Sequence, residues 1–244
     1  MRIVRAAALA FALVPLPGGA ADLEPVDLEL VLLADATGSI DEAEILLQRK
    51  GYADALVDPE VLFAIANGGA DGRVAITYVE WAGAASQDVV VDWTVVDGEE
   101  SARAFGEALL SAPRRAYGSN AIGAALLKGK DLIETNRYQG WRKVIELSGD
   151  SAWNPLGPPI PVARDAVLGA DIVINGLAVL CRSPCSGRPR IENLEEAYRE
   201  IAGGPGSFVV TADGDRSFAQ AVRRKLLLEI ADLGGRDRAA TFVK

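Results

Sequence analysis

Residues 28–39 read Leu-Glu-Leu-Val-Leu-Leu-Ala-Asp-Ala-Thr-Gly-Ser, an apolar run that ends in one carboxylate and two hydroxyls. A short apolar run followed by turn-forming residues is typical of a strand that is buried on both faces. The next residues, Ile40-Asp41-Glu42-Ala43-Glu44, carry the acids that are typical of the first turn of a helix. This order predicts a central strand of a parallel α/β sheet.

The polar side chains after this strand, Asp35, Thr37 and Ser39, have the chemistry of a site for a hard cation. Ligands of open α/β sheets bind just beyond the carboxyl ends of the strands. Donor sets made only of oxygen suit a divalent cation such as Mg²⁺. The same side chains could instead only cap the N–H groups of the following helix. The pentapeptide by itself leaves both interpretations open.

The pentapeptide Asp35-Ala36-Thr37-Gly38-Ser39 resembles the Asp-x-Ser-x-Ser signature of the metal-ion-dependent adhesion site in von Willebrand factor type A domains. Thr37 stands where that family usually has serine, and it keeps the hydroxyl. Further stretches resemble one bacterial branch, the secreted DUF1194 proteins of unknown function. These stretches are residues 143–150, 174–177, 203–209 and 218–226. The resemblance extends from about Val26 to about Asp232.

The resemblance implies a metal site built from three loops, with a threonine in the second loop and an aspartate in the third. Asp150, which follows the apolar run at 144–148, matches the third. In the second loop the spacing places Asn120 at the threonine position, and Ser119 precedes it. Either residue could coordinate a cation, or both could only cap the next helix. The implied ligands of Mg²⁺, or of Mn²⁺ or Ca²⁺, are Asp35, Thr37, Ser39, Asn120 (or Ser119) and Asp150.

The resemblance also implies a function. In the family, a vacant coordination position on the cation accepts a carboxylate from a partner protein, so the domain is a binding module and not an enzyme. Asp35–Ser39 also resembles the phosphorylation motif of P-type ATPases and their haloacid-dehalogenase relatives, in which the aspartate is a nucleophile on Mg²⁺. Ala36 replaces the lysine of that motif. A structural domain with a vestigial metal site is the third alternative.

The remainder of the chain alternates predicted strands with predicted helices. The strands are at 74–81, 87–95, 144–148, 172–180 and 207–210, and the helices are at about 40–56, 101–110, 121–135, 162–168, 194–201 and 217–233. The strands at 74–81 and 87–95 are close enough to form an antiparallel pair. The predicted fold is α/β, with a doubly wound, mostly parallel sheet, one antiparallel edge strand and helices on both faces, as in von Willebrand factor type A and Rossmann-like domains.

The first twenty residues have the composition of a secretory signal peptide, with a basic start, an apolar run at 6–16 and small residues at 18–20. An uncleaved anchor is the alternative, although the apolar run is too short to span a bilayer. We predict a signal peptide at 1–20, one von Willebrand factor type A-like domain at 21–233 and a C-terminal tail at 234–244. The mature protein is expected in the periplasm or outside the cell, without a stable membrane span.

Charge and residue types exclude several classes of function. The net charge of the 244-residue chain is −9, and it becomes −11 without residues 1–20, which contain Arg2, Arg5 and no acid. Such a chain is a poor partner for nucleic acid or anionic lipid. The absence of histidine excludes a Ser-His-Asp triad and the common zinc sites. Cys181 and Cys185 predict a disulfide in an exported chain, with a redox-active pair as the alternative.

Overall fold

The computed structural model describes residues 23–180, 193–213 and 215–231. The predicted signal peptide, both cysteines and the predicted tail lie outside these ranges. The strands are β1 (Glu24–Asp35), β2 (Val74–Trp81), β3 (Gln87–Val96), β4 (Tyr138–Gly149), β5 (Val173–Val179) and β6 (Val209–Ala212). The helices are α1 (Glu42–Leu56), α2 (Pro59–Gly68), α3 (Glu99–Ser111), α4 (Ile122–Thr135), α5 (Ile160–Leu168), α6 (Leu194–Ile201) and α7 (Asp215–Ala231).

The strands form a six-stranded sheet in the order β3-β2-β1-β4-β5-β6. β3 pairs with β2 in the antiparallel direction, and every other neighbouring pair is parallel. The predicted mostly parallel sheet with one antiparallel edge strand is therefore confirmed. β1 lies between β2 and β4 and is buried from Val26 to Asp35, which explains the unbroken apolar run at residues 30–34.

Helices cover both faces of the sheet, as predicted. Leu28, Leu30 and Leu32 of β1 pack in one core with α1, α2, α3 and α7. Val31 and Leu33 pack in a second core with α4, α5 and α6. This alternation follows from the period of two along a strand. Among the helices of the described ranges, none combines the length and the apolarity that a membrane crossing requires.

The differences between the structure and the prediction include one additional helix and the bounds of two strands. Helix α2 was not predicted; it begins with Pro59 and is capped by Asp58, which accepts a hydrogen bond from the N–H of Glu60 (2.9 Å). β4 begins at Tyr138, earlier than the predicted residue 144, because its first half pairs with the start of β1. β6 lies two residues later than the predicted 207–210.

Candidate metal centre

Asp35 is the last residue of β1, and Thr37 and Ser39 lie in the loop that follows it, but none of the three caps helix α1. Asp41 is the N-cap residue of α1, and its carboxylate accepts a hydrogen bond from the N–H of Glu44 (2.9 Å). The Glu44 carboxylate accepts from the N–H of Asp41 in return (2.8 Å). This capping box satisfies the start of the helix. The three polar side chains before it are therefore not required as caps.

Hydrogen bonds join this first loop to the loop after β4. The N–H of Thr37 donates to Asp35 Oδ1 (2.8 Å), and the hydroxyls of Thr37 and Ser39 are hydrogen-bonded to each other (3.0 Å). Ser39 Oγ then donates to Asp150 Oδ1 (3.2 Å). Asp35 and Thr37 are fully buried, Ser39 is nearly buried and Asp150 is half-buried. The structure thus brings four of the six predicted site residues into one hydrogen-bonded group.

The other two predicted residues lie on the loop that precedes α4. This loop is joined to the first one by a hydrogen bond from the N–H of Gly38 to the carbonyl of Gly118 (2.9 Å). Asn120 is nearly buried, whereas Ser119 is exposed. Ala121 is the N-cap residue of α4, so neither Asn120 nor Ser119 occupies that position. The burial of Asn120 favours it over Ser119 as the side chain that faces the other loops.

The carboxylate of Asp35 lies close to Gly149, the last residue of β4. The Oδ2 atom of Asp35 is buried and has no hydrogen-bond partner among the described residues. A Cβ added to Gly149 would lie 2.8 Å from this oxygen, 2.6 Å from the hydroxyl of Tyr198 and 3.1 Å from the ring of Trp81. Buried carboxylate oxygens normally have partners, because an unsatisfied one is costly. The orphaned oxygen fits a bound cation or its water, and the short distances show that residue 149 must lack a side chain to lie this close to it.

The electrostatics of the site also fit a cation. Burial, and next the nearby charge of Asp150, raise the pKa of Asp35 from 3.8 to about 7, although the hydrogen bond from Thr37 opposes this change. A divalent ion would neutralise both carboxylates. In the described ranges no group of three or more His, Cys, Asp or Glu side chains is arranged to hold a metal. A cation at this centre would therefore depend on hydroxyl and amide oxygens as well as on the two aspartates.

Three further residues, none of them predicted from the sequence, shape this centre. Trp81 and Tyr198 are fully buried beneath it, and the indole N–H of Trp81 donates to the carbonyl of Ser148 (3.1 Å). The guanidinium of Arg114 donates to the carbonyl of Ala36 (2.8 Å) and links the first two loops. They lie on β2, α6 and the loop after α3, and no sequence pattern relates these elements to the β1 loop.

The family model described as "Protein of unknown function (DUF1194)" matches residues 25–234. The chain belongs to the DUF1194 family. No curated protein matches this DUF1194 chain. The family match includes the three loops of the candidate centre.

Solved structures similar to the DUF1194 chain include von Willebrand factor type A from Catenulispora acidiphila, with 18% identity, a TM-score of 0.57, and coverage of 86% of this chain and 43% of the other. The pilus adhesin SpaC from Lactobacillus rhamnosus GG has 14% identity and a TM-score of 0.59, over 87% and 31% of the two chains. Proximal thread matrix protein 1 (PTMP1) from the mussel byssus, with a zinc-occupied MIDAS motif, has 15% identity and a TM-score of 0.59. The match covers 86% of this chain and 49% of PTMP1.

This DUF1194 chain spans about a third to a half of the length of those three proteins. At these identities the likeness concerns the fold. It confirms that the chain has a von Willebrand factor type A-like α/β fold, in agreement with the order and directions of its strands.

Proposed function

We propose that this protein is an exported protein-binding domain that depends on a divalent cation. Mg²⁺, or Mn²⁺ or Ca²⁺, would be held by Asp35, Thr37, Ser39, Asp150 and Asn120. The observation that carries the proposal is the hydrogen-bonded group of Asp35, Thr37, Ser39 and Asp150, in which the buried Oδ2 of Asp35 has no partner among the described residues. Its hydroxyl and carboxylate oxygens are hard ligands at the carboxyl edge of a parallel sheet. Ser119 is the alternative ligand from the second loop.

The residues of the site have separate roles in this proposal. Asp35 and Asp150 supply the negative charge, whereas Thr37 and Ser39 supply neutral hydroxyl oxygens. A bound cation would offer a Lewis-acidic position to a partner's carboxylate. Gln48 holds the end of β1 in place, because its side-chain amide donates to the Asp35 carbonyl (3.0 Å). The loop would thus be ordered before the cation arrives, which lowers the cost of binding.

A partner protein that offers a carboxylate fits this site best. The similar proteins SpaC and PTMP1 are described as an adhesin and a thread matrix protein, which supports a binding role and not an enzymatic one. The net charge of −9 does not favour nucleic acid. A location in the periplasm or outside the cell follows from the proposed signal peptide at 1–20, and a Cys181–Cys185 disulfide would suit that compartment.

Isothermal titration of chelator-treated protein with Mg²⁺, Mn²⁺ and Ca²⁺ tests the proposal. We expect one site per chain, loss of measurable binding in Asp35→Ala, and at least about tenfold weaker binding in Ser39→Ala and Asp150→Ala, because each change removes a ligand. Asp54→Asn, which changes an exposed acid of α1, is the matched control and should bind as the wild type does. Equal affinity in Asp35→Ala and the wild type would refute the site. Wild-type protein that binds none of the three ions would indicate a vestigial centre.

A further inference from the structure

Three exposed apolar side chains lie on the loops around the candidate metal centre. Outside the helices and strands of the described ranges, four large apolar residues are exposed, and three of them belong to these loops. They are Tyr117, Trp153 and Leu156, with 57%, 63% and 45% of their surface exposed. We call these three residues the apolar rim. Exposed apolar side chains that cluster around a polar site are typical of interaction surfaces.

Two members of the apolar rim lie close in sequence to candidate ligands. Tyr117 precedes Asn120 by three residues, and Trp153 follows Asp150 by three residues. Gly118, which is next to Tyr117, is hydrogen-bonded to the first loop. Two different loops therefore present aromatic rings at the edge of the sheet where a partner's carboxylate would be bound.

The backbone of both aromatic residues is fixed by hydrogen bonds. The N–H of Tyr117 donates to Ser86 Oγ (3.0 Å), and the N–H of Trp153 donates to Ser151 Oγ (3.1 Å). The guanidinium of Arg114 lies 4.8 Å from the centre of the Tyr117 ring. Aromatic side chains have few rotatable bonds, so residues held in this way lose little entropy when a partner covers them.

We infer that the partner of this site is a protein segment in which a single carboxylate is flanked by apolar side chains. This inference rests on the proposed function, since the carboxylate would be bound at the cation while the flanking side chains cover Tyr117 and Trp153. A polyacidic segment fits less well, because the carboxylate of Asp41 is exposed at the start of α1 beside the first loop and would repel it. Aromatic residues around a polar contact are typical of the energetic centre of protein interfaces.

Three labelled peptides test the inference by fluorescence anisotropy in saturating Mg²⁺. The first carries one glutamate between phenylalanine and leucine; the second has serine at both flanking positions; the third has glutamine in place of the glutamate of the first. We expect the first peptide to bind about tenfold more tightly than the second, as burial of an aromatic side chain predicts. This preference should fall below about twofold in the double variant Tyr117→Ser/Trp153→Ser. Trp141→Ser is the matched control, since Trp141 is exposed in the first half of β4, at the opposite end from Asp150, and it should keep the preference.

The outcomes separate this inference from the proposed function. If both glutamate peptides bind equally well and only with Mg²⁺, the inference is wrong and the proposed function stands. If the glutamine peptide binds as tightly as its glutamate counterpart, or if binding persists in excess chelator, recognition of a carboxylate by the cation is refuted together with the inference. Mg²⁺ titration and circular dichroism of the double variant show whether its loss of preference comes from a folded protein with an intact centre.

Discussion

Replacement of Asp35 by asparagine should stabilise the metal-free protein at pH 8. Burial, and next the charge of Asp150, raise the pKa of Asp35 from 3.8 to about 7. Between these values the folded protein keeps a proton that the unfolded chain releases, so the free energy of unfolding falls as the pH rises from about 4 to about 7. Above about pH 7 the free energy of unfolding is therefore lower by roughly 4 kcal/mol than it would be with an unshifted Asp35 pKa. Asparagine cannot ionise, and its oxygen can still accept the hydrogen bond from Thr37.

Urea unfolding at pH 5 and pH 8, with chelator or with Mg²⁺, measures this effect. In chelator, the gain of Asp35→Asn over the wild type should be larger at pH 8 than at pH 5. In Mg²⁺ at a hundred times its dissociation constant, the wild type should gain about 2.7 kcal/mol and the variant almost nothing. Asp54→Asn, at an exposed position, should follow the wild type in all four conditions. If the free energy of unfolding of Asp35→Asn had the same pH dependence as that of the wild type in chelator, a raised pKa for Asp35 would be refuted.

A second large effect is expected from Lys225→Met, in a buried charged group between β4 and α7. Lys225 Nζ lies 2.6 Å from Glu229 Oε1 and 3.2 Å from Glu146 Oε1, and all three side chains are almost completely buried. Tyr52 and Asn175 donate further hydrogen bonds to the two carboxylates. The variant would leave two buried carboxylates without their cation, a change that typically costs about 3–5 kcal/mol.

Chemical denaturation of Lys225→Met at pH 5 and pH 8 measures this loss. Burial raises the pKa of Glu146 to about 6, and Lys225 opposes that rise. Without Lys225 the carboxylate should favour its protonated form still more, so the destabilisation should be smaller at pH 5 than at pH 8. Lys50→Met, which removes an exposed i,i+4 partner of Asp54, should cost less than about 1 kcal/mol. A loss of that size in Lys225→Met would contradict the importance of the buried group.

The sheet could be predicted from the sequence because strands that are buried on both faces are rich in apolar residues. β1 is covered on both faces, and residues 30–34 of it form an unbroken apolar run, whereas the half-exposed edge strand β3 mixes apolar residues with Gln87, Asp88, Asp92 and Thr94 and follows β2 closely. Helix α2 was not predicted, because it buries only Val61 and Ile65 and two buried positions give little helical periodicity. Its one clear sign in the sequence is Asp58 before Pro59, an N-cap residue followed by a proline in the first turn.

The two carboxylates of the candidate centre could be predicted because each lies where a strand ends. Asp35 and Asp150 each lie at the carboxyl end of a parallel strand, and adjacency of β1 and β4 brings them together. Tyr198 was not predictable, because it comes from α6 and its position beneath Asp35 depends on packing between distant elements. The same holds for Lys225 and Glu229, since charged residues on a helix normally face solvent and no local pattern indicates their burial.

The location of a bound cation tests the central claim most directly. Crystals grown with saturating Mn²⁺, measured at a wavelength where manganese scatters anomalously, should show one strong peak between the first loop and Asp150. We predict that this peak lies about 2.0–2.6 Å from Thr37 Oγ1 and Ser39 Oγ, and that it is absent from crystals of Asp35→Ala grown in the same way. An anomalous map without a peak beside these hydroxyls, or with the same peak in Asp35→Ala, would contradict the claim.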